Sequence, residues 1–160
     1  MKLGYLQLNS YRNCEETILN FDKGKTLIIG KNAQGKTNIL ESIYFLSTLK
    51  SPRTSNTAEL INFKSAYCKI EAKIQKNGTN TDLQYIYSKD KKRELKVNGT
   101  KASVKDFKSV LTTVLFSSSD LLSSDKPASR KCIRILTSLC ARSRLRRETP
   151  ATFANPSSEA

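Results

Sequence analysis

Apolar and polar positions change rhythm several times along the chain. From Lys2 to Leu8 the pattern alternates through Leu3, Tyr5, Leu6 and Leu8, and after a polar turn at 9–14 it alternates again from Thr17 to Phe21 before the turn at 22–24. Period-two alternation broken by turn residues predicts a β-hairpin. Leu27–Ile29 is a short continuous apolar run, expected to form a buried strand. From Thr37 to about Leu49 the spacing becomes helical through Ile39, Leu40, Ile43, Tyr44, Phe45 and Leu46. Pro52 and the hydroxyl residues of 50–57 then end the helix and form an exposed loop.

A second antiparallel set follows. Tyr67–Gln75 places Cys68, Ile70, Ala72 and Ile74 on one face, Asn77-Gly78 turns the chain, and Leu83, Tyr85 and Tyr87 alternate on the return. Glu94–Val97 with Asn98-Gly99 reads as a further strand and turn. Ser103–Val110 reads as a short helix capped by Ser103 with Asp106 three residues on, and Val110–Phe116 as an apolar, β-branched interior strand.

The segment between the Leu27–Ile29 strand and the first helix carries the chemistry. Gly30-Lys31-Asn32-Ala33-Gln34-Gly35-Lys36-Thr37 has the Gly-x-x-x-x-Gly-Lys-Thr spacing of a phosphate-binding loop. Wrapping a polyphosphate requires backbone N–H groups to turn inward, which Gly30 and Gly35 permit. Lys36 would reach the β- and γ-phosphates, Thr37 would offer its hydroxyl to Mg²⁺, and the helix would aim its positive end at the anion. The site expected from these residues holds a polyphosphate with Mg²⁺.

Composition narrows the chemistry further. The chain has 160 residues and no histidine, which excludes Ser-His and Cys-His nucleophiles and imidazole metal sites. Cys14, Cys68, Cys132 and Cys140 are too scattered for a zinc motif and are expected as free thiols. No window approaches the roughly 18 apolar residues of a membrane span, and the N-terminus alternates where a signal peptide would be continuous, so a cytoplasmic protein is expected.

The net charge of +14 calls for an anionic partner such as nucleic acid. Lys89, Lys91, Lys92, Arg93, Lys96, Lys101, Lys105 and Lys108 concentrate it in the second strand set and the helix after it. That cluster reads equally as a DNA-phosphate surface and as a solvated edge that blocks aggregation.

The basic residues change identity near the end. Residues 1–126 hold 18 Lys and 3 Arg, whereas residues 127–160 hold 1 Lys and 6 Arg, with three of the four prolines. This switch is expected of a tail read out of frame from near Lys131, ending in a disordered polar stretch. A genuine basic extension is the other reading, since Cys132, Ile135, Leu136, Leu139 and Cys140 keep helical spacing. No repeat appears.

Five separated stretches, taken in order, resemble a known family: Leu6–Asn13, Leu27–Tyr44, Lys50–Thr54, Leu95–Gly99 and Val114–Ser117. Together they are similar to the N-terminal part of the RecF family of recombination mediators, over about residues 1–131. The resemblance implies an α/β fold, the N-terminal lobe of an ABC-type P-loop ATPase head: a mixed sheet around the loop helix with an antiparallel β subdomain. It implies an ATP-dependent homodimer, DNA in single-stranded or gapped duplex form, other recombination mediator proteins as partners, and a place in replication, recombinational repair and the SOS response. By position, Gly30–Thr37 would be the ATP site, flanked by Asn38. Arg12 and Arg53 would contact nucleotide or DNA, and Lys91, Lys92 and Arg93 are further candidates.

The departures are specific. Pro52 stands where the family has His, and Ser117-Ser-Ser-Asp-Leu121 replaces Ser-Pro-Glu-Asp-Leu. Asp120 follows three serines and so does not end an apolar strand as the Mg²⁺-water carboxylate of phosphate-loop enzymes does. The family's helical arm, signature motif and acidic Mg²⁺ strand have no counterpart, so efficient hydrolysis by this chain alone is not expected. Another small phosphate-loop NTPase or nucleotide kinase, or a nonfunctional truncated product, are the alternatives. Against the first, there is no Asn-Lys-x-Asp guanine motif and no arginine-rich lid.

Overall fold

The computed structural model describes residues 1–22, 24–116 and 132–133. Strands β1 (Lys2–Tyr11) and β2 (Cys14–Asn20) form the first hairpin, and β3 (Tyr67–Lys76) and β4 (Thr79–Ser88) the second. β5 (Arg93–Val97) and β6 (Thr100–Lys101) extend the second hairpin. All six join one antiparallel sheet in the order β2-β1-β3-β4-β5-β6. The β1–β3 pairing closes a long excursion that carries the loop of 30–37, helix α1 (Lys36–Thr48) and a short 3-10 turn at Thr57–Leu60.

Register explains which residues form the core. Leu8 lies opposite Ile70, Leu6 opposite Ala72, Ile70 opposite Tyr85, and Tyr85 opposite Leu95, so one face is apolar across four strands. Strict alternation would place Leu3 and Leu6 on opposite faces. The register shifts between Leu3 and Tyr5, where Gly4 forms an irregularity of the bulge type, and both leucines are buried. The hairpin turns Asn77-Gly78 and Asn98-Gly99 place both residues at positive φ, the conformation that matches the strand twist in a two-residue turn.

α1 covers the apolar face of the sheet with Ile39, Ile43, Phe45 and Leu46, and the Phe45 ring meets Tyr85 edge-on at 4.8 Å and 78°. It ends at Leu49, whose φ of 55° lets its N–H reach the Phe45 carbonyl at 2.6 Å. Helix α2 (Val104–Val110) packs on α1 and β5 with Phe107 fully buried. Ser103 caps α2 by accepting from the Asp106 N–H at 3.2 Å. Among the described residues no helix is long and apolar enough to cross a membrane.

Two expected elements differ. Leu27–Ile29 is not a buried strand: Leu27 is 81% and Ile29 82% exposed, and only Ile28 packs on the core. Among the described residues no strand lies beside it, and a strand requires a neighbour for its N–H and C=O groups. For the same reason the described sheet is antiparallel throughout, without the parallel pairing of a mixed sheet. The expected strand Val110–Phe116 is reduced to β7 (Leu115–Phe116), because α2 takes Val110 and only these two residues find a partner, in β8 (Cys132–Ile133). The Ser117–Leu121 stretch and the helical spacing from Ile135 to Cys140 lie outside the described residues.

Burial also shapes the titration of the core. The Cys68 thiol is pushed from 9.0 up to about 12 by burial, and burial likewise raises the Tyr85 and Tyr11 phenols. A raised folded-state value means that the contribution is complete below the unfolded value and is lost as pH rises through the folded one. Urea unfolding is therefore expected to show flat stability to about pH 9 and a decline toward pH 12. Cys68→Ala should reduce that slope without abolishing it, since the tyrosines share the window.

Candidate functional site

The loop of 30–37 leaves the exposed 27–29 segment and closes onto the N-terminus of α1. Gly35 is the hinge, at φ 87° and ψ 3°. A Cβ added there would lie 3.1 Å from Cys14 Sγ and 3.3 Å from Asn13 Oδ1, so the turn between β1 and β2 presses directly on the loop. Ala33 also has positive φ, at 64°, and its carbonyl accepts from Asn13 Nδ2 at 3.0 Å. The requirement for glycine at position 35 is thus steric as well as conformational.

The first turn of α1 has neither a side-chain cap nor an acidic residue. Its N–H groups and positive dipole end are left facing the loop, the arrangement that favours an anion. Lys36, half-buried, folds its ammonium back to donate to the Gly30 carbonyl at 2.6 Å and the Lys31 carbonyl at 2.5 Å. A phosphate oxygen offered at the same place would be a stronger, charge-assisted acceptor than either carbonyl. Thr37 is exposed beside it.

Behind the loop stands a carboxylate that pattern reading passes over. Glu41, one turn beyond Thr37 on α1, is 1% exposed. Arg12 donates to it with two nitrogens, Nη2 at 2.7 Å and Nε at 3.2 Å. Ser51 Oγ donates to the same carboxylate, and Arg53 Nη1 lies 3.5 Å away. Arg53 Nη1 also donates to Asn38 Oδ1 at 2.8 Å, while Asn38 Nδ2 donates to Asn13 Oδ1. Burial works to lower the Arg12 pKa, but the hydrogen bond and charge of Glu41 outweigh it and the net shift is upward. Arg12 therefore stays fully charged at the cleft.

Arg12, Asn13, Asn38 and Arg53 share one open cleft of about 640 Å³ with the phosphate loop. Asn32–Asn38, Arg12, Asn13, Arg53, Glu59, Ile61 and Phe63 line it. Of the residues singled out from the sequence, Asn32, Ala33, Gln34, Gly35, Lys36, Thr37, Arg12 and Arg53 come together here. Gly30 and Lys31 contribute carbonyls that hold Lys36. Lys91, Lys92 and Arg93 do not line the cleft. They sit in the turn between β4 and β5 and at the start of β5, exposed and without an ion pair among the described residues. Sequence reasoning missed Glu41, Ser51 and Asn13. The available signal was a Glu set among apolar residues of a buried helix face.

The cleft fits a polyphosphate on its own geometry: a loop turned by Gly35 at positive φ, an uncapped helix end and three cations. Among the described residues no group of three or more acidic or thiol side chains could hold a metal.

Comparison with known proteins agrees with this geometry. The family model described as RecF/RecN/SMC N terminal domain matches residues 2–126. The DNA replication and repair protein RecF of Staphylococcus epidermidis is 46% identical over 123 residues, covering 76% of this chain and 33% of that protein. That of Bacillus velezensis is 40% identical over 121 residues, again covering 76% and 33%. The chain thus spans about one third of the length of the curated relatives it matches. Among solved structures, the recombination mediator protein RecF-ATPrS in the RecFOR pathway superposes with a TM-score of 0.71 at 30% identity, over 81% of this chain and 35% of that one. A structure from the structural biochemistry of ATP-driven dimerization of SMC ATPases gives a TM-score of 0.60 at 21% identity, covering 69% of this chain and 77% of that one, a likeness of fold.

Gly35→Ala is expected to lower unfolding stability by about 1–2 kcal/mol, through its positive φ and the collision with Cys14. Adding Cys14→Ala should recover only the steric part. A chemical denaturation series on the two single variants and the double variant measures both components.

Proposed function

The chain belongs to the RecF/RecN/SMC N-terminal domain family, and on that premise we propose that it binds ATP with Mg²⁺ as the nucleotide-holding lobe of an ABC-type ATPase head. The observation that carries this reading is the joining of Lys36, the Gly35 hinge and an uncapped helix end in one cleft with Arg12 and Arg53. In this reading the loop N–H groups cradle the phosphates, and Lys36 exchanges the Gly30 and Lys31 carbonyls for the β- and γ-oxygens. Arg12, held charged by Glu41, supports the phosphate side of the cleft, and Arg53 contributes from the facing loop. A bound Mg²⁺, with Thr37 as its protein ligand, would neutralise phosphate charge.

The larger role proposed is in DNA replication and recombinational repair, with single-stranded or gapped DNA as partner. Other mediator proteins, an ATP-dependent homodimer and the SOS response belong to the same proposal, in the cytoplasm. One topological feature supports a DNA contact. Register places the β4–β5 turn, with Lys91, Lys92 and Arg93, at the same end of the sheet as the β1–β2 turn that holds Arg12 and Asn13. A phosphate backbone lying across that end would meet exposed cations next to the nucleotide cleft. Residues 1–131 form this lobe in the proposal, and residues 132–160 a divergent tail.

The sequence offers no apolar strand ending in the carboxylate that holds the Mg²⁺-bound water, and the proposal is accordingly one of binding without efficient hydrolysis. Equilibrium titration of the full chain with ATP and Mg²⁺ is expected to give binding that weakens at least about tenfold in Lys36→Ala, with turnover at background. Robust hydrolysis by the isolated chain, or ATP affinity indifferent to Lys36, contradicts it.

A further inference from the structure

One of the bonds that hold the phosphate loop does not have to break when a phosphate arrives. Among the described residues, three side-chain hydrogen bonds reach the backbone of 30–35. Two come from Lys36, which gives them up when its ammonium turns to a phosphate. The third runs from Asn13 Nδ2, in the β1–β2 turn, to the Ala33 carbonyl at 3.0 Å, and a ligand can leave it in place.

Ala33 depends on such a restraint. At φ 64° it lies in the left-handed region, which a residue with a Cβ occupies at a cost and keeps only where its surroundings hold it there. The 33–34 peptide is trans, and a trans peptide points its C=O and N–H in opposite directions. Drawing the Ala33 carbonyl toward the β1–β2 turn therefore turns the Gln34 N–H away from that turn. Gln34 lines the cleft, and its N–H has no protein partner among the described residues. An unpaired backbone N–H in a loop of this kind is what a phosphate oxygen requires.

The polarity of the Asn13 amide is itself determined. Arg53 can only donate, so the atom of Asn38 that meets Arg53 Nη1 at 2.8 Å is Oδ1. That leaves Asn38 Nδ2 to face Asn13, whose Oδ1 accepts it and whose Nδ2 then faces Ala33. Every bond from Arg53 to Ala33 donates in the same direction, and reversing either amide would set donor against donor. Asn38 is 8% exposed, which shields the middle of this chain from competing water.

We propose that Asn13 is the positioning residue of the phosphate loop: it fixes the Ala33–Gln34 peptide so that the Gln34 N–H is presented to the phosphates before they bind. This rests on the assignment of the loop to a polyphosphate and adds the group that orders it beforehand. An apolar residue of similar size at position 13, which is exposed, leaves the fold but frees that peptide to turn. A ligand has then to order it on binding, and affinity falls.

ATP and inorganic tripolyphosphate, each with Mg²⁺, are titrated calorimetrically into the full chain and into Asn13→Leu. Both ligands should bind the variant about fivefold more weakly, by the same factor, with the number of sites per chain unchanged. That number separates positioning from folding, since a damaged fold removes competent sites and leaves the affinity of the others as it was. Asn13→Ala should behave like Asn13→Leu, which excludes apolar bulk as the cause. Unchanged affinity for both ligands overturns the proposal, and so does a loss confined to ATP, the mark of a contact to the nucleoside. A fall in the number of sites at constant affinity overturns it as well, because the role of Asn13 is then in folding alone. Binding of neither ligand to the unaltered chain overturns the phosphate assignment together with it.

Discussion

A carboxylate with almost no access to water organises the phosphate end of this chain. Glu41 would be strongly destabilising alone, since an unpaired buried charge costs several kcal/mol. Its compensation comes from three directions: Arg12 in the first hairpin turn, Ser51 just after α1, and Arg53 in the loop beyond. One side chain thereby fixes the mutual position of the sheet end, the loop helix and the facing loop. The Asn13–Asn38–Arg53 bonds run parallel to it and bring the same three parts against the phosphate loop. Arg12 and Arg53 consequently reach the cleft already oriented, which spares a ligand the cost of ordering them.

The sheet serves this arrangement through its register. A bulge at Gly4 keeps Leu3, Leu6 and Leu8 on one face, so that β1 stays seated on the core along its length and its last residue, Tyr11, is fully buried next to Glu41 and Cys68. Arg12 follows at once with φ 55°, and its N–H is held by the Leu60 carbonyl at 2.8 Å. The polar cluster therefore begins where the apolar strand ends. Distance along the chain is irrelevant to it, since Arg12 and Glu41 are brought together by the crossing of hairpin and helix.

Much of this was legible in the residues because local physics determines it. The phosphate loop, the α1 periodicity, the Ser103 cap and the two Asn-Gly turns each carry their signal within a few positions. The 27–29 run misled because an apolar triplet specifies a tendency to burial and not the neighbour that provides it. Leu27 and Ile29 lack a paired strand among the described residues, and no local feature announces that. Glu41 went unread for a related reason. Its sequence neighbours, Leu40 and Ser42, say nothing of Arg12, and a lone polar residue on a helix is usually solvated. The ion pair exists only in the tertiary structure.

The claim that the Arg12–Glu41 pair holds the phosphate end together is tested most directly by a double-mutant cycle on unfolding free energy. Arg12→Met, Glu41→Met and the double variant keep the side-chain bulk while removing the charges. The single variants should each be destabilised by more than the double variant implies, with a coupling of about 2 kcal/mol or more. Additivity of the two substitutions within about 0.5 kcal/mol would contradict the claim.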